Sequence, residues 1–206
     1  MMLVIAMTLA GTAKASPTTI AVEPAQLEVD VGKSYIINIT VTDVSHLYLW
    51  VFRLRWNNSV VQLNSIVEGS FLKQGGTTAL LYTPLTIAEI NAAGRITEAS
   101  CTLLMPVPGV SGSGVLATLN FTALAIGTTT IEFWEDPPSF EGKTILIDDT
   151  AASNPIPHTE VPGSVDVIPE FQASVFTALF LLAALLVVVL EKTVWSTSRK
   201  NHIGVK

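Results

Sequence analysis

The segment that most constrains this chain is Leu47-Tyr48-Leu49-Trp50-Val51-Phe52-Arg53-Leu54-Arg55-Trp56. From Trp50 onward its bulky apolar side chains occupy every second position. An extended backbone therefore puts Trp50, Phe52, Leu54 and Trp56 on one face and Val51, Arg53 and Arg55 on the other. Burying side chains of that size stabilises by about 1.5 to 3 kcal/mol each, so the aromatic face predicts core. On the opposite face, an aliphatic residue beside two guanidinium groups suits partner carboxylates or carbonyls, unless both arginines are spent on acids of neighbouring strands.

The same two-residue period recurs. Tyr35, Ile37, Ile39 and Val41 share a face, as do Val115, Ala117, Leu119 and Phe121, and residues 128–133 repeat the pattern. Each run follows a turn cluster, Val31-Gly32-Lys33, Gly112-Ser113-Gly114 or Ile126-Gly127. No amphipathic helix of three turns interrupts them. Many short strands with regular turns predict an all-β fold, an antiparallel sandwich in preference to a barrel at this length.

Two further segments frame this body. Residues 1–15 carry a short apolar run and end in Ala13-Lys14-Ala15, the form of a signal peptide with its cleavage site. Residues 171–190 contain no charge. At 1.5 Å per residue, twenty residues cover roughly the 30 Å hydrocarbon layer of a bilayer, so a transmembrane helix is predicted there. Lys192, Arg199 and Lys200 follow it while Asp166 and Glu170 precede it, which orients the C-terminus to the cytoplasm and the body outside.

Charge and composition exclude several functions. Residues 16–170 hold 16 acidic and 6 basic side chains, an unsuitable balance for phosphate backbones, so no nucleic-acid partner is expected. One cysteine, Cys101, and three scattered histidines, His46, His158 and His202, offer no zinc spacing, and no metal or cofactor is expected. Ser111 lies in Gly-Val-Ser-Gly without the strand-turn-helix setting of a nucleophile elbow, and no catalytic residues are assigned. The acids between Glu132 and Asp149 lack EF-hand spacing and read as solvated loop residues.

Val44-Ser45-His46-Leu47-Tyr48, Trp56-Asn57-Asn58-Ser59-Val60-Val61 and Val67-Glu68-Gly69-Ser70-Phe71-Leu72 form an ordered series. With the G-V-x-G-x-G-x-L-x-x-x-x-F pattern of residues 109–121 and the A-x-G-x-T of residues 125–129, it resembles the cohesin family of prokaryotic surface proteins. The resemblance spans about residues 20–167. It implies a jelly-roll sandwich of about nine strands, no catalytic activity, and a dockerin-like protein partner met by a flat sheet face. The matching outward positions are Leu49, Val51, Arg53 and Arg55. Familiar members carry Asn and Asp where this chain has Leu49 and Val51, and Asp-Pro where it has Asn57-Asn58, so the resemblance implies a different, more apolar partner or another role. Ile168-Pro169-Glu170-Phe171 also resembles Pro-Glu-Phe sorting signals, although the tail beyond Lys192 is longer than such signals have.

The expected organisation is a signal peptide (1–15), a sandwich ectodomain (16–167), a juxtamembrane segment (168–170), a transmembrane helix (171–190) and a basic cytoplasmic tail (191–206). The expected function is that of a single-pass, membrane-anchored module for non-catalytic protein binding, in scaffolding or adhesion. Two alternatives stand beside it: a surface-polysaccharide binder using Trp134 and Tyr82, the obvious aromatics outside the core, and a passive envelope component. Three N-x-S/T sequons, at Asn38, Asn57 and Asn120, are candidates for N-glycosylation on an outside domain.

Overall fold

The computed structural model describes residues 17–82, 85–104, 106–135, 144–150, 152–170 and 180–190, with side chains except at residues 80–82. The predicted signal peptide and cytoplasmic tail lie outside the described residues, as do residues 171–179 of the predicted span.

Among the described residues eleven strands occur. They are β1 (Thr18–Glu23), β2 (Gln26–Asp30), β3 (Ser34–Arg55), β4 (Val61–Glu68), β5 (Thr78–Tyr82), β6 (Arg95–Leu103), β7 (Val110–Ala123), β8 (Gly127–Phe133), β9 (Ile145–Asp148), β10 (His158–Val161) and β11 (Gly163–Ile168). A 3₁₀ turn, Leu72–Gly75, and a short helix, α1 (Ile87–Ala93), complete the fold. Pro24 separates β1 from β2, and Pro162 separates β10 from β11; counting each interrupted strand once gives the nine expected. Helix α1 was not expected. Thr86 accepts from the Glu89 amide while the Glu89 carboxylate accepts from the Thr86 amide, a capping box, and Gly94 closes the helix at φ 64°.

The architecture turns on β3. Its first half pairs with β1 and β7, and its second half with β6 on one side and with β9 and then β8 on the other. One strand thus belongs to a back sheet, β10-β1-β3-β7-β4, and to a front sheet, β5-β6-β3, which continues beyond β3 to β9 and to β8-β11-β2. The change of direction occurs at two bulges, between Val41 and Val44 and between Val44 and Leu47, where Asp43 and His46 take positive φ. The amides freed there are not orphaned: Ser113 Oγ accepts from Asp43 N at 3.0 Å and Ser111 Oγ from His46 N at 2.8 Å.

β1 runs parallel to β10, and β2 parallel to β11, a departure from the antiparallel expectation. These strands come from opposite ends of the domain, so no hairpin imposes an antiparallel direction.

The alternating residues form the core as predicted, except at the start of β7, where a bulge between Val115 and Ala117 buries Leu116 and leaves Val115, expected on the inner face, only half-buried. Trp50, Phe52, Leu54 and Trp56 are buried, and Trp50 stacks on Phe52 with centroids 5.0 Å apart. Ile37, Ile39, Ala117, Leu119 and Phe121 join the same cluster. The two halves of the sequence resemblance also meet in space. Gly69 N donates to Leu116 O and Phe71 N to Val115 O. The Phe71 ring fills the space where Gly114 has no side chain; a Cβ there would lie 2.7 Å from Cδ2.

The chain divides after Ile168 into two units. In the second, residues 180–190 are helical with exposed side chains. No helix among the described residues is long and apolar enough to cross a membrane.

Candidate partner-binding face

In the front sheet, residues directly opposite one another share a side. Leu49 pairs with Thr102 on β6 and Ile147 on β9, and Val51 pairs with Ser100 and Ile145. Their inner neighbour Trp50 pairs with Cys101 and Leu146, all fully buried. The outer side therefore presents Leu49, Val51, Ile145 and Ile147, each half-buried, as an aliphatic strip two strands wide, bordered by Thr102 and by Ala79 on β5. Ile145 and Ile147 were missed from the sequence. In Ile145-Leu146-Ile147 every residue is aliphatic, so periodicity distinguishes no inner side from an outer one.

Arg53 requires a correction. It was expected to be exposed and is 8% exposed. The register with β6 slips between Phe52 and Leu54, where β6 bulges by one residue and sets Thr97 and Glu98 opposite Arg53, and Phe52, Arg53 and Leu54 are buried in succession. Arg53 Nη2 lies 3.8 Å from Glu98 Oε2, and its carbonyl accepts from Trp134 N at 3.3 Å. Arg55 remains exposed, its Nε donating to Glu132 Oε1 at 2.7 Å. Both arginines thus do pair with acids, Glu98 on β6 and Glu132 on β8. Leu49, Val51 and Arg55 are the residues of the expected row that solvent reaches.

Trp134 is only half-buried, but its indole is already engaged. Nε1 donates to Ile96 O at 3.3 Å, and the Arg95 guanidinium sits 5.0 Å from the ring centroid, covering one stacking surface. The Tyr82 backbone pairs with Ala99, and its side chain lies outside the described atoms.

Next to Ile147 along the chain stand two carboxylates, Asp148 held by its own loop and Asp149 by neighbouring ones. Asp148 Oδ1 accepts from Thr150 Oγ1 at 2.6 Å and from the amides of Thr150 and Asn154. Asp149 Oδ2 accepts from Gly109 N at 2.7 Å and faces His46 Nδ1 at 3.4 Å. The Thr150 hydroxyl for Asp148, and the Gly109 amide for Asp149, hold both carboxyls below their usual range. Ser111 is turned to the His46 backbone rather than to its ring. Among the described residues no group of three or more His, Cys, Asp or Glu could hold a metal ion. Burial, reinforced by Glu68, pushes the Cys101 thiol up to about 12, so it is an inert core residue.

The sequons separate. Asn38 on β3 and Asn120 on β7 lie on the outer side of the back sheet, whereas Asn57 is exposed in the β3–β4 turn.

No family model matches the chain, and no curated protein does. Solved structures do match. A non-cellulosomal cohesin from the archaeon Archaeoglobus fulgidus aligns with TM-score 0.54 and 13% identity, over 77% of this chain and 96% of that one. A type I cohesin from a cohesin–dockerin complex of Clostridium thermocellum aligns with TM-score 0.56 and 12% identity, over 74% and 100%. A type II cohesin domain from the cellulosome of Acetivibrio cellulolyticus aligns with TM-score 0.56 and 14% identity, over 73% and 95%.

Proposed function

We propose, from the cohesin fold that this chain adopts, that it is a non-catalytic protein-binding module which takes a dockerin-like partner on the front sheet. The observation that carries this reading is the aliphatic strip Leu49, Val51, Ile145 and Ile147, half-buried on the outer side of a sheet whose inner side is already core. An apolar strip of this kind, rimmed by Arg55 and by Asp148 and Asp149, has the composition of an interface centre with a polar margin. Similar solved cohesins come from complexes with dockerins, which supports a protein as the partner. The absence of Asn and Asp at Leu49 and Val51 fits a partner with a more apolar contact surface.

In this reading the module stands outside the cell as the ectodomain of a single-pass membrane protein. Residues 1–15 direct export, residues 171–190 span the bilayer, and the basic tail stays in the cytoplasm. The support is the uncharged length of that segment and the basic residues that follow it. Polysaccharide binding is the weaker reading, since Arg95 covers one surface of the Trp134 ring.

The test is capture by the full chain, held in its membrane, of dockerin-bearing proteins from the same cell, with and without calcium. Saturable capture that Val51→Asp weakens at least about tenfold, a loss of some 1.4 kcal/mol, is the expected result. Capture equal in wild type and Val51→Asp removes the front sheet as the site, and no capture of dockerin-bearing proteins removes the partner class.

A further inference from the structure

The outer side of the back sheet differs chemically from the front and carries a motif that protein binding leaves unused. Its register sets Ser65, Asn120 and Ile36 in one row and Val67, Thr118 and Asn38 in the next. Four of these six side chains are amides or hydroxyls, and with Asn64, Thr122 and Ser34 beside them they form a hydrogen-bonded polar field. Asn64 Nδ2 donates to Asn120 Oδ1 at 2.7 Å and to Thr122 Oγ1 at 2.8 Å, Thr118 donates to Asn38 Oδ1 at 2.9 Å, and Ser34 and Thr122 share a bond of 2.9 Å. Within this polar field Ile36 is 55% exposed and Val67 56%, the two most exposed large apolar side chains among the described strand residues.

We propose that Asn120 is N-glycosylated and that its first sugar covers Ile36, its direct cross-strand neighbour. The proposal rests on the extracytoplasmic placement proposed above. Three observations converge on Asn120. It opens the sequon Asn120-Phe121-Thr122. Its carbonyl oxygen accepts from Asn64, while among the described residues its Nδ2 donates to nothing, so on this half-buried side chain the reacting nitrogen is not spent on a hydrogen bond. And the apolar surface that a sugar's C–H face would cover lies beside it.

Asn38 differs in the third residue of its sequon. Thr40 is 8% exposed and its hydroxyl faces Ala21 O at 3.5 Å, beneath the surface at which a transferase works, whereas Thr122 stays half-buried on the open side. The two asparagines are diagonal neighbours, roughly 7 to 8 Å apart on such a sheet, which leaves room for one sugar chain.

The co-reactant is a polyprenyl-phosphate-linked oligosaccharide. Nδ2 of Asn120 forms a bond to the anomeric carbon, and the bond from that carbon to the lipid phosphate oxygen breaks. The phosphate leaves with the electron pair, and the amide gives up one proton. The sugar coat then leaves the front sheet as the bare protein surface for a partner.

The experiment is peptide mapping by mass spectrometry of the full chain isolated from its own cells. In parallel, intact and lysed cells are labelled with a membrane-impermeant amine reagent and scored at Lys33 and Lys73. The expected result is labelling on intact cells, a glycan on the Asn120 peptide and a bare Asn38 peptide. Asn120→Gln is then expected to lose the mass of one glycan and to gain binding of a hydrophobic dye. Labelling on intact cells with Asn120 bare, or with the glycan at Asn38 instead or as well, overturns the proposal while extracytoplasmic placement stands. Labelling only after lysis overturns the placement, and the proposal with it.

Discussion

The two halves of β3 obey the same alternation and present opposite chemistry. Inward, Tyr35, Ile37 and Ile39 match Trp50, Phe52 and Leu54 as buried core. Outward, the first half shows Ser34, Ile36 and Asn38 within a network of hydroxyls and amides, and the second shows Leu49 and Val51 within an aliphatic strip and Arg55 at its rim. Since the inner residues do the same work in both halves, they say nothing about which sheet binds. The difference lies in the outer residues, and it survives only because two bulges at Asp43 and His46 turn one strand from one sheet into the other.

That symmetry of the inner faces is open to direct attack. Trp50→Ala should cost about 3–5 kcal/mol and Ile37→Ala about 2–5 kcal/mol, by loss of transfer energy plus the cavity left behind. Denaturant unfolding of the two variants measures both. A cost well under 1 kcal/mol for either would mean that its half of β3 is not part of the shared core.

The two arginines sharpen the contrast within the second half. Arg53→Ala should destabilise by about 1–3 kcal/mol, because it removes a buried side chain from its partners, among them Glu98 in the facing bulge of β6. Arg55→Ala, breaking an exposed pair with Glu132, should change stability by less than about 1 kcal/mol. Thermal melts of both variants decide the matter, and equal effects would contradict the burial difference between neighbours on one side of one strand.

The smallest effect is expected at the junction of the sheets. The Asp149 carboxyl is held below the usual aspartate value of 3.8 by the Gly109 amide, with His46 contributing. A depressed folded value favours the ionised form, so its contribution is fully present above 3.8 and is lost as the pH falls through the depressed value. Acid titration of stability should therefore be shallower in Asp149→Asn than in wild type below about pH 4. An unchanged acid limb would show that the Gly109 contact does not tie the loops together in solution.

Several of these features were legible in the residues. The buried faces of β3 and β7 follow from a period of two, and the glycines of Val67-Glu68-Gly69-Ser70-Phe71 and Gly112-Ser113-Gly114 signal close approach, which Phe71 and Gly114 make. Helix α1 was legible too, in the Thr86-Ile87-Ala88-Glu89 capping box, but seven residues with only Ile90 buried give no helical stripe to notice. Ser111 and Ser113 could not be read. Their role is to accept the amides freed by bulges in a strand some seventy residues earlier in the chain.

What the sequence determined by itself was the all-β class and, where bulky side chains alternate without a bulge, which of them face inward, because alternation is a local property of an extended backbone and needs no knowledge of the partner strand. What only the tertiary structure decided was which outward residues remain reachable. Arg53 is buried by a register slip against β6, Leu49 and Val51 become a strip only when β9 brings Ile145 and Ile147 alongside, and Asn120 meets Ile36 only through the pairing of β7 with β3. Each of these joins residues at least forty positions apart, and pairing over such distances is selected by the packing of the whole domain rather than by any segment's own preference.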